Sequence, residues 1–337
     1  MRSSLAVQRA AMCALGIIGL AAAVVVGCAP PPSDPGSPPT TLEPLPGAPG
    51  EFSVLSYNVA GLPLEFSKVR PDIHLPMISP LLNAYDVVAT QEDFDWWQPI
   101  VSGFDFVNYH TRLRADATHP YRSDRHPGPA SVGVDPAARP LAVGDGIGLM
   151  ARYPLTDFVE HAWSQCYGGP LPDGGAADCL AMKGFRVATM TLGDGIVVDV
   201  YSVHGEAGGT PRDQELQALD FAEMAAVIRK HSAGRAVIVA GDTNLHTDLV
   251  HLDGDGGADT VIWQEFLAET GLTDSCTALD CTDPGSIDKI AFRDGGGLDL
   301  TALMHDVPTE RFSGPDGEDL SDHPPVVVTF GWDLLEN

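Results

Sequence analysis

Short apolar segments of strand length, separated by turns and a few helices, fill the chain after residue 50. Residues 51–59 alternate apolar and polar side chains, and residues 86–90 and 236–240 are brief apolar runs typical of buried strands. Residues 185–191 and 195–204 form a predicted hairpin around a Gly-containing turn. Because strands separated by helices occur together with hairpins, the pattern favours an α/β domain with mixed sheets. Further strands are predicted at 146–150, 287–292 and 325–330.

Two helices carry recognisable start and stop signals. Thr210 is a predicted N-cap, Pro211 suits the first helical position, and Asp213 completes a capping-box pattern. Asp259 is the predicted N-cap of a second helix, which ends at Gly271. Both helices are therefore expected to pack against the sheets through one apolar face.

Polar residues able to contact a metal ion or a phosphate lie at the ends of five predicted strands. Each of them alone is more often structural than catalytic, but five such placements in one chain indicate a common site. Strands of α/β sheets present their ligands at such ends. The residues are Asn58, Glu92, His204, Asp242 with Asn244, and Asp322 with His323.

The motifs around these residues resemble those of the endonuclease/exonuclease/phosphatase superfamily, which has the deoxyribonuclease-I-like fold. In chain order they are LSYNVAGLP, VVATQED, YSVHGEAG, VIVAGDTN, SIDKIAF and LSDHPPV. The resemblance covers residues 51–332 and implies a four-layer sandwich of two packed mixed β-sheets flanked by helices. It also implies a metal-dependent phosphoester hydrolase.

The resemblance assigns a metal site to Glu92, with Asn58 nearby and Asp322 assisting. Mg²⁺ is a hard ion that prefers carboxylate and amide oxygens, and Mn²⁺ is expected to substitute for it. Such an ion would neutralise charge that develops on the phosphate in the transition state.

The resemblance also assigns the catalytic roles. His323 is the expected general base for the attacking water, and Asp288 is expected to fix its tautomer. Asp242 would orient or deprotonate the water, and Asn244 would hold the phosphate. His204, if protonated, would stabilise the phosphate or the leaving oxygen.

The first fifty residues predict export and anchoring. Basic residues precede an apolar stretch at 10–26, as in a secretory signal, and Gly27-Cys28 resembles a lipobox. We expect a lipoprotein signal peptide at 1–27, a lipid on Cys28, a Pro-rich spacer at 28–50 and the catalytic domain at 51–337. An uncleaved membrane anchor and plain secretion are the alternatives, because the apolar stretch is long and Val26 is bulky for a lipobox.

Four further cysteines lie in the predicted domain, an even number in a chain expected to be exported. Local disulfides Cys166–Cys179 and Cys276–Cys281 are the most economical pairing. A zinc site is the competing interpretation, but neither pair has the Cys-x-x-Cys spacing of a structural site.

The formal net charge of −27 disfavours a protein that grips nucleic acid. A locally basic segment, residues 110–139, is either a solvated loop or a loop that faces phosphate. We therefore expect a small phosphoester or a phospholipid headgroup as the substrate, and a lipid-anchored monomer outside the cell membrane. A secreted nuclease acting on DNA or RNA is the alternative, followed by an inactive binding lipoprotein on the same fold.

Overall fold

The computed structural model describes residues 50–64, 66–97, 106–124, 144–169, 175–193, 195–247 and 257–335. The signal peptide, Cys28 and all of the spacer except Gly50 lie outside the described residues and stay predictions. Within the described part of the chain, no helix has both the length and the apolar character needed to cross a membrane.

The described residues form strands and helices in a regular order along the chain. The strands are β1 (Gly50–Asn58), β2 (Val87–Gln91), β3 (Asp95–Trp97), β4 (Phe106–Asn108), β5 (Tyr121–Arg122), β6 (Gly148–Ala151), β7 (Leu155–Ala162), β8 (Gly184–Gly193), β9 (Ile196–His204), β10 (Ala236–Asp242), β11 (Thr273–Asp274), β12 (Asp288–Arg293), β13 (Leu298–Asp306) and β14 (Val326–Leu334). The helices are α1 (Pro71–Leu81), α2 (Tyr109–Arg114), α3 (Pro211–His231), α4 (Ala258–Thr270) and α5 (Ser275–Ala278).

Most of the strands form two six-stranded sheets. One has the order β13-β14-β1-β2-β6-β5 and the other β11-β12-β10-β9-β8-β7, while β3 and β4 form a separate pair. In each sheet one central pair is parallel, β1 with β2 and β9 with β10, and the other pairs are antiparallel. Both sheets are therefore mixed, as predicted.

The core explains why several strands are continuous apolar runs in the sequence. In β1, Phe52 and Val54 face the layer between the two sheets, whereas Leu55 and Tyr57 pack in an outer layer with residues of α1 and α2. β10 is likewise shared between the central layer and a second outer layer beneath α3 and α4. Strands buried on both faces lose the alternation of half-exposed strands. The predicted four-layer sandwich is thus confirmed.

Of the two predicted N-caps, Thr210 is confirmed and Asp259 is wrong. The capping box of α3 is present: the Thr210 hydroxyl accepts from the Asp213 N–H, and the Asp213 carboxylate accepts from the Thr210 N–H at 2.9 Å. Asp259, however, is not the N-cap of α4. Gly257 is the N-cap. The Asp259 carboxylate accepts a hydrogen bond from the backbone N–H of His246 at 2.9 Å instead of capping the helix.

Nine of the described strands and helices were not predicted, and α1, β7 and β13 are the longest of them. Helix α1 contains Pro76 and Pro80, which in a sequence indicate a break because proline lacks the backbone donor of an inner helical turn. Strands β7 and β13 are edge or near-edge strands with largely exposed residues, so they lack an apolar run.

Both predicted disulfides are present. Cys166–Cys179 and Cys276–Cys281 have Cα–Cα distances of 5.2 and 4.8 Å. Each closes a short local loop, so neither links the two sheets.

The basic segment is largely structural where it is described. Arg114 is buried against the Asp93 carboxylate, and Arg122 donates to the backbone carbonyls of His119, Arg114 and Ala117. Arg125 and Arg139 lie outside the described residues. Neither Arg114 nor Arg122 is therefore a simple solvated side chain.

Candidate active site

Strand register brings the predicted residues of both sheets to one edge of the sandwich. Asp242, the last residue of β10, pairs with His204 of β9 on one side and with Asp288 of β12 on the other. Asn58 ends β1 beside Gln91 of β2, so Glu92 emerges next to it. The carboxyl ends of the parallel strands thus supply the site from two sheets.

Asn58 links the two halves of the site. It is fully buried, and its Nδ2 donates to Asp242 Oδ2 at 2.9 Å and to Glu92 Oε1 at 3.2 Å. The same nitrogen lies 3.4 Å from His323 Nε2, and Oδ1 accepts from the Ala60 N–H at 3.0 Å. Asn58 therefore holds both carboxylates and the histidine around one point.

His323 and Asp288 form a close pair. His323 Nδ1 lies 2.9 Å from Asp288 Oδ2, and its Nε2 lies 3.8 Å from Asp242 Oδ2. The loop is fixed by Ser321, whose hydroxyl accepts from the His323 N–H and donates to the Asn58 carbonyl at 2.6 Å. The Nε2 atom is thereby directed toward the carboxylate cluster.

Opposing effects set the proton affinities of this pair. Burial alone would lower the pKa of His323, but the carboxylates of Asp288 and Asp242 outweigh it and raise the pKa to about 10. Burial raises the pKa of Asp288 to about 6 against the opposing influence of His323. The carboxylates therefore favour a protonated His323, whereas a general base must begin neutral, so a cation that offsets their charge is needed before Nε2 can accept a proton.

Asp242 stays an anion and His204 a neutral ring. Burial opposes ionisation of Asp242, but His323, His204 and Lys183 together lower its pKa. Burial and the charge of Lys183 lower the pKa of His204 well below its ordinary value. His204 Nε2 lies 3.5 Å from Asp242 Oδ2 and 4.0 Å from Glu92 Oε1. His204 would act here as a neutral hydrogen-bonding group rather than as the cation considered above.

Two site residues have strained backbones. Glu92 and Asn244 are non-glycine residues in the left-handed region, with φ of 58° and 53°. Such residues cost about 1–3 kcal/mol each and cluster at functional sites. The Asn244 N–H donates to Asp242 Oδ1 at 3.0 Å, and its Nδ2 donates to the Gly205 carbonyl at 3.0 Å. This left-handed backbone turns the chain directly after β2 and β10, where the two side chains join the site.

The predicted metal ligands are not placed alike. Glu92 is beside Asn58, and burial raises the pKa of its carboxyl, which a bound cation would counteract. The Asp322 carboxylate lies on the rim, where its Oδ2 is 3.2 Å from Lys68 Nζ. Asp242, Asp288 and His323 also offer ligand atoms within 4.8 Å of one another. Glu92 thus stays a metal-ligand prediction, with the group around Asp242 adjacent to it.

Lys183 is a buried residue of the site that the sequence did not reveal. Its Nζ donates to the Gly205 carbonyl at 3.2 Å and pairs with Asp178 Oδ1 at 2.5 Å. A single lysine beside a strand has no sequence signal for such a role. Gly205 is required there, because a Cβ would lie 2.3 Å from the Thr243 carbonyl oxygen. Lys183 and Asn244 thus hold the same carbonyl.

A family model and curated proteins are similar to this chain in sequence. The sequence model of the Endonuclease/Exonuclease/phosphatase family matches residues 55–323. A Mycobacterium tuberculosis protein named sphingomyelinase is 31% identical over 298 aligned residues. The alignment covers 83% of this chain and 53% of the relative. The chain therefore spans about half the length of the curated relatives it matches.

Solved structures show the same fold. Beta toxin from Staphylococcus aureus is 17% identical with a TM-score of 0.56, over 82% of this chain and 99% of the toxin chain. A variant of that toxin with bound magnesium ions is 15% identical with a TM-score of 0.53, over 83% and 99%. At these identities the likeness extends to the fold alone.

Proposed function

This chain belongs to the endonuclease/exonuclease/phosphatase family, and we propose that it is a metal-dependent phosphodiesterase that hydrolyses the headgroup ester of a phospholipid. The observation that carries the proposal is the His323–Asp288 pair, whose contact of 2.9 Å directs Nε2 toward Asn58 and Asp242. The adjacent Glu92 supplies a buried carboxylate for a divalent ion. This arrangement combines a base with a cation site, which phosphoester hydrolysis requires.

His323 would take the proton of the attacking water at Nε2. Asp288 would hold the other ring proton at Nδ1 and stabilise the imidazolium that forms. Asp242 is an anion whose Oδ2 lies 3.8 Å from Nε2. It would orient the water through the oxygen lone pairs that its other hydrogen bonds leave free. These three side chains account for activation of the nucleophile.

The other site residues would manage the phosphate and the metal. Glu92 would hold Mg²⁺, or Mn²⁺ in its place, and Asn58 would join it once its amide is turned so that Oδ1 rather than Nδ2 faces the ion, because an amide nitrogen does not bind a cation. Asp322 would approach from the rim after separation from Lys68. The bound metal would neutralise charge on a phosphate oxygen in the transition state. Asn244 and His204 would donate hydrogen bonds to the phosphate or the leaving oxygen.

A lipid headgroup fits the remaining observations better than nucleic acid does. The chain carries 46 acidic against 19 basic residues, which would repel a polyanion. Of the described arginines in the basic segment 110–139, Arg114 and Arg122 are committed to internal contacts, and the exposed Arg112 donates to the Asp72 carbonyl at 3.2 Å. The curated relatives are named sphingomyelinase. We therefore propose sphingomyelin as the first substrate, with a lipid on Cys28 placing the exported protein at the membrane.

A substrate panel tests the proposal. The purified chain with Mg²⁺ is expected to release phosphocholine from sphingomyelin, and excess chelator is expected to abolish that release. The panel also contains phosphatidylinositol, inositol phosphates, DNA, RNA and bis-p-nitrophenyl phosphate. Glu92→Gln is the matched inactive control, since it keeps the size of the side chain and removes its charge. Cleavage of DNA or RNA without cleavage of any lipid would identify a nuclease and refute the lipid assignment.

A further inference from the structure

The loop between β1 and α1 exposes large apolar side chains beside the site. Phe66 is 76% exposed and Leu64 is 47% exposed, and Phe66 is the most exposed large apolar residue in the described part of the chain. A turn presents them, since the N–H groups of Phe66 and Ser67 both donate to the Pro63 carbonyl at 2.9 Å. Exposed apolar side chains that lie together and are rimmed by polar residues mark surfaces that contact proteins or membranes.

Both ends of this loop lie beside residues of the site. At its start, the Gly61 N–H donates to the Glu92 carbonyl at 3.0 Å, directly after Asn58. At its end, Lys68 Nζ lies 3.2 Å from the carboxylate of Asp322, the neighbour of His323, in an exposed ion pair that can open. The apolar turn therefore lies on the rim of the site.

The charge of the loop differs from that of the rest of the chain. Residues 59–72 contain Glu65, Asp72, Lys68 and Arg70, and Arg70 is paired with Asp72, so this segment carries no net charge, against −27 for the whole chain. Lys68 is 82% exposed at its side chain. An anionic protein would be repelled from an acidic surface, but this rim can meet the phosphates of zwitterionic lipids.

We propose that Leu64 and Phe66 insert into the surface of a zwitterionic phospholipid bilayer and so dock the site over a lipid headgroup. Apolar side chains at such a tip enter the boundary between headgroups and acyl chains, where aromatic rings are favoured. Lys68 would contact lipid phosphate beside them. This inference rests on the proposed function for its substrate, but the docking itself is a separate property of the loop.

The test compares two double variants in the predicted mature chain, residues 28–337 with Cys28→Ser, because the apolar stretch 10–26 and the predicted acyl chain would each bind vesicles independently of the loop. One is Leu64→Ser with Phe66→Ser. The matched control is Val261→Ser with Phe158→Ser, which removes one aliphatic and one aromatic exposed side chain from α4 and β7. Each is measured for co-sedimentation with phosphatidylcholine/sphingomyelin vesicles, for hydrolysis of the vesicle lipid, and for hydrolysis of soluble bis-p-nitrophenyl phosphate.

The loop variant is expected to lose roughly tenfold or more in vesicle binding and vesicle hydrolysis. Its rate on the soluble diester is expected to match that of the control, which also shows that it is folded. Equal vesicle binding by the two variants, or no vesicle binding by the parent chain, would overturn the docking proposal. Vesicle binding that depends on the loop without any lipid hydrolysis would instead refute the proposed function and leave docking standing.

Discussion

The ion pair between Asp93 and Arg114 lies directly behind the candidate metal ligand Glu92. Arg114 Nη1 is 2.5 Å from Asp93 Oδ2, which Thr90 Oγ1 also contacts at 3.0 Å, and both charged side chains are buried. Burial opposes ionisation of Asp93, but Arg114 and His110 outweigh it and lower its pKa from 3.8 to about 2. We predict that Asp93→Asn destabilises the fold strongly and in a pH-dependent way.

The magnitude follows from linkage between protonation and folding. A difference of 3.8 minus about 2 is about 1.8 pH units, or roughly 2 kcal/mol. Because the folded pKa lies below the unfolded one, this stabilisation is complete above about pH 5 and is lost progressively as the pH falls toward about 1. The variant also leaves Arg114 buried without its counter-charge, which costs about 3–5 kcal/mol when one partner of such a pair is removed.

Urea denaturation at pH 7, 4 and 2.5 measures both effects. The Asp93→Asn variant should unfold at lower urea than the parent at pH 7, and the gap should narrow by most of the roughly 2 kcal/mol as the pH falls from about 5 to 2.5. Asp333→Asn, at an exposed position of β14, is the control and should change little. Adding Arg114→Met to Asp93→Asn should restore part of the loss. A gap that stays constant over this pH range would refute the reasoning.

Three further predictions concern catalysis, export and covalent structure. His323→Ala should lose a factor of about 10² to 10⁴ in rate on one activated diester, and Asp288→Asn should lose less. The double variant should be little worse than His323→Ala. A double variant whose loss in rate is the product of the two single losses would argue against a dyad. Cys28→Ser should release the protein from membranes in a fractionation assay or leave it unprocessed, whereas unchanged attachment would point to the apolar stretch 10–26 as the anchor. Because all four cysteines of the domain form disulfides, thiol titration of the unfolded, unreduced domain should find no free thiol. Four reactive thiols would contradict the pairing.

The sequence predicted those parts of the site that depend on strand ends. Asn58, His204, Asp242 and Asp288 follow from short apolar segments and their motifs, because register then fixes which of them are neighbours. The fold class follows from the same segments. Local patterns are sufficient where a backbone element positions the side chain directly.

The sequence could not predict contacts made by side chains across the structure. Nothing near Asp322 indicates that its carboxylate meets Lys68, and nothing near Lys183 indicates that its ammonium donates to the carbonyl of Gly205, the residue after His204. Asp259 looked like a cap because caps are local, yet its carboxylate is used by the distant loop residue His246. Helix α1 was missed for the opposite reason, since its prolines are tolerated only in the context of the packed domain.

The bridge made by Asn58 has a consequence for how activity returns during folding. Asn58 and Asp242 are 184 positions apart and belong to different sheets, yet their side chains lie 2.9 Å apart. Neither sheet alone contains a complete site, and contacts of such sequence separation form late because of the chain entropy they cost. Recovery of hydrolysis after dilution from denaturant would therefore time the docking of the two sheets, while far-ultraviolet circular dichroism would recover earlier.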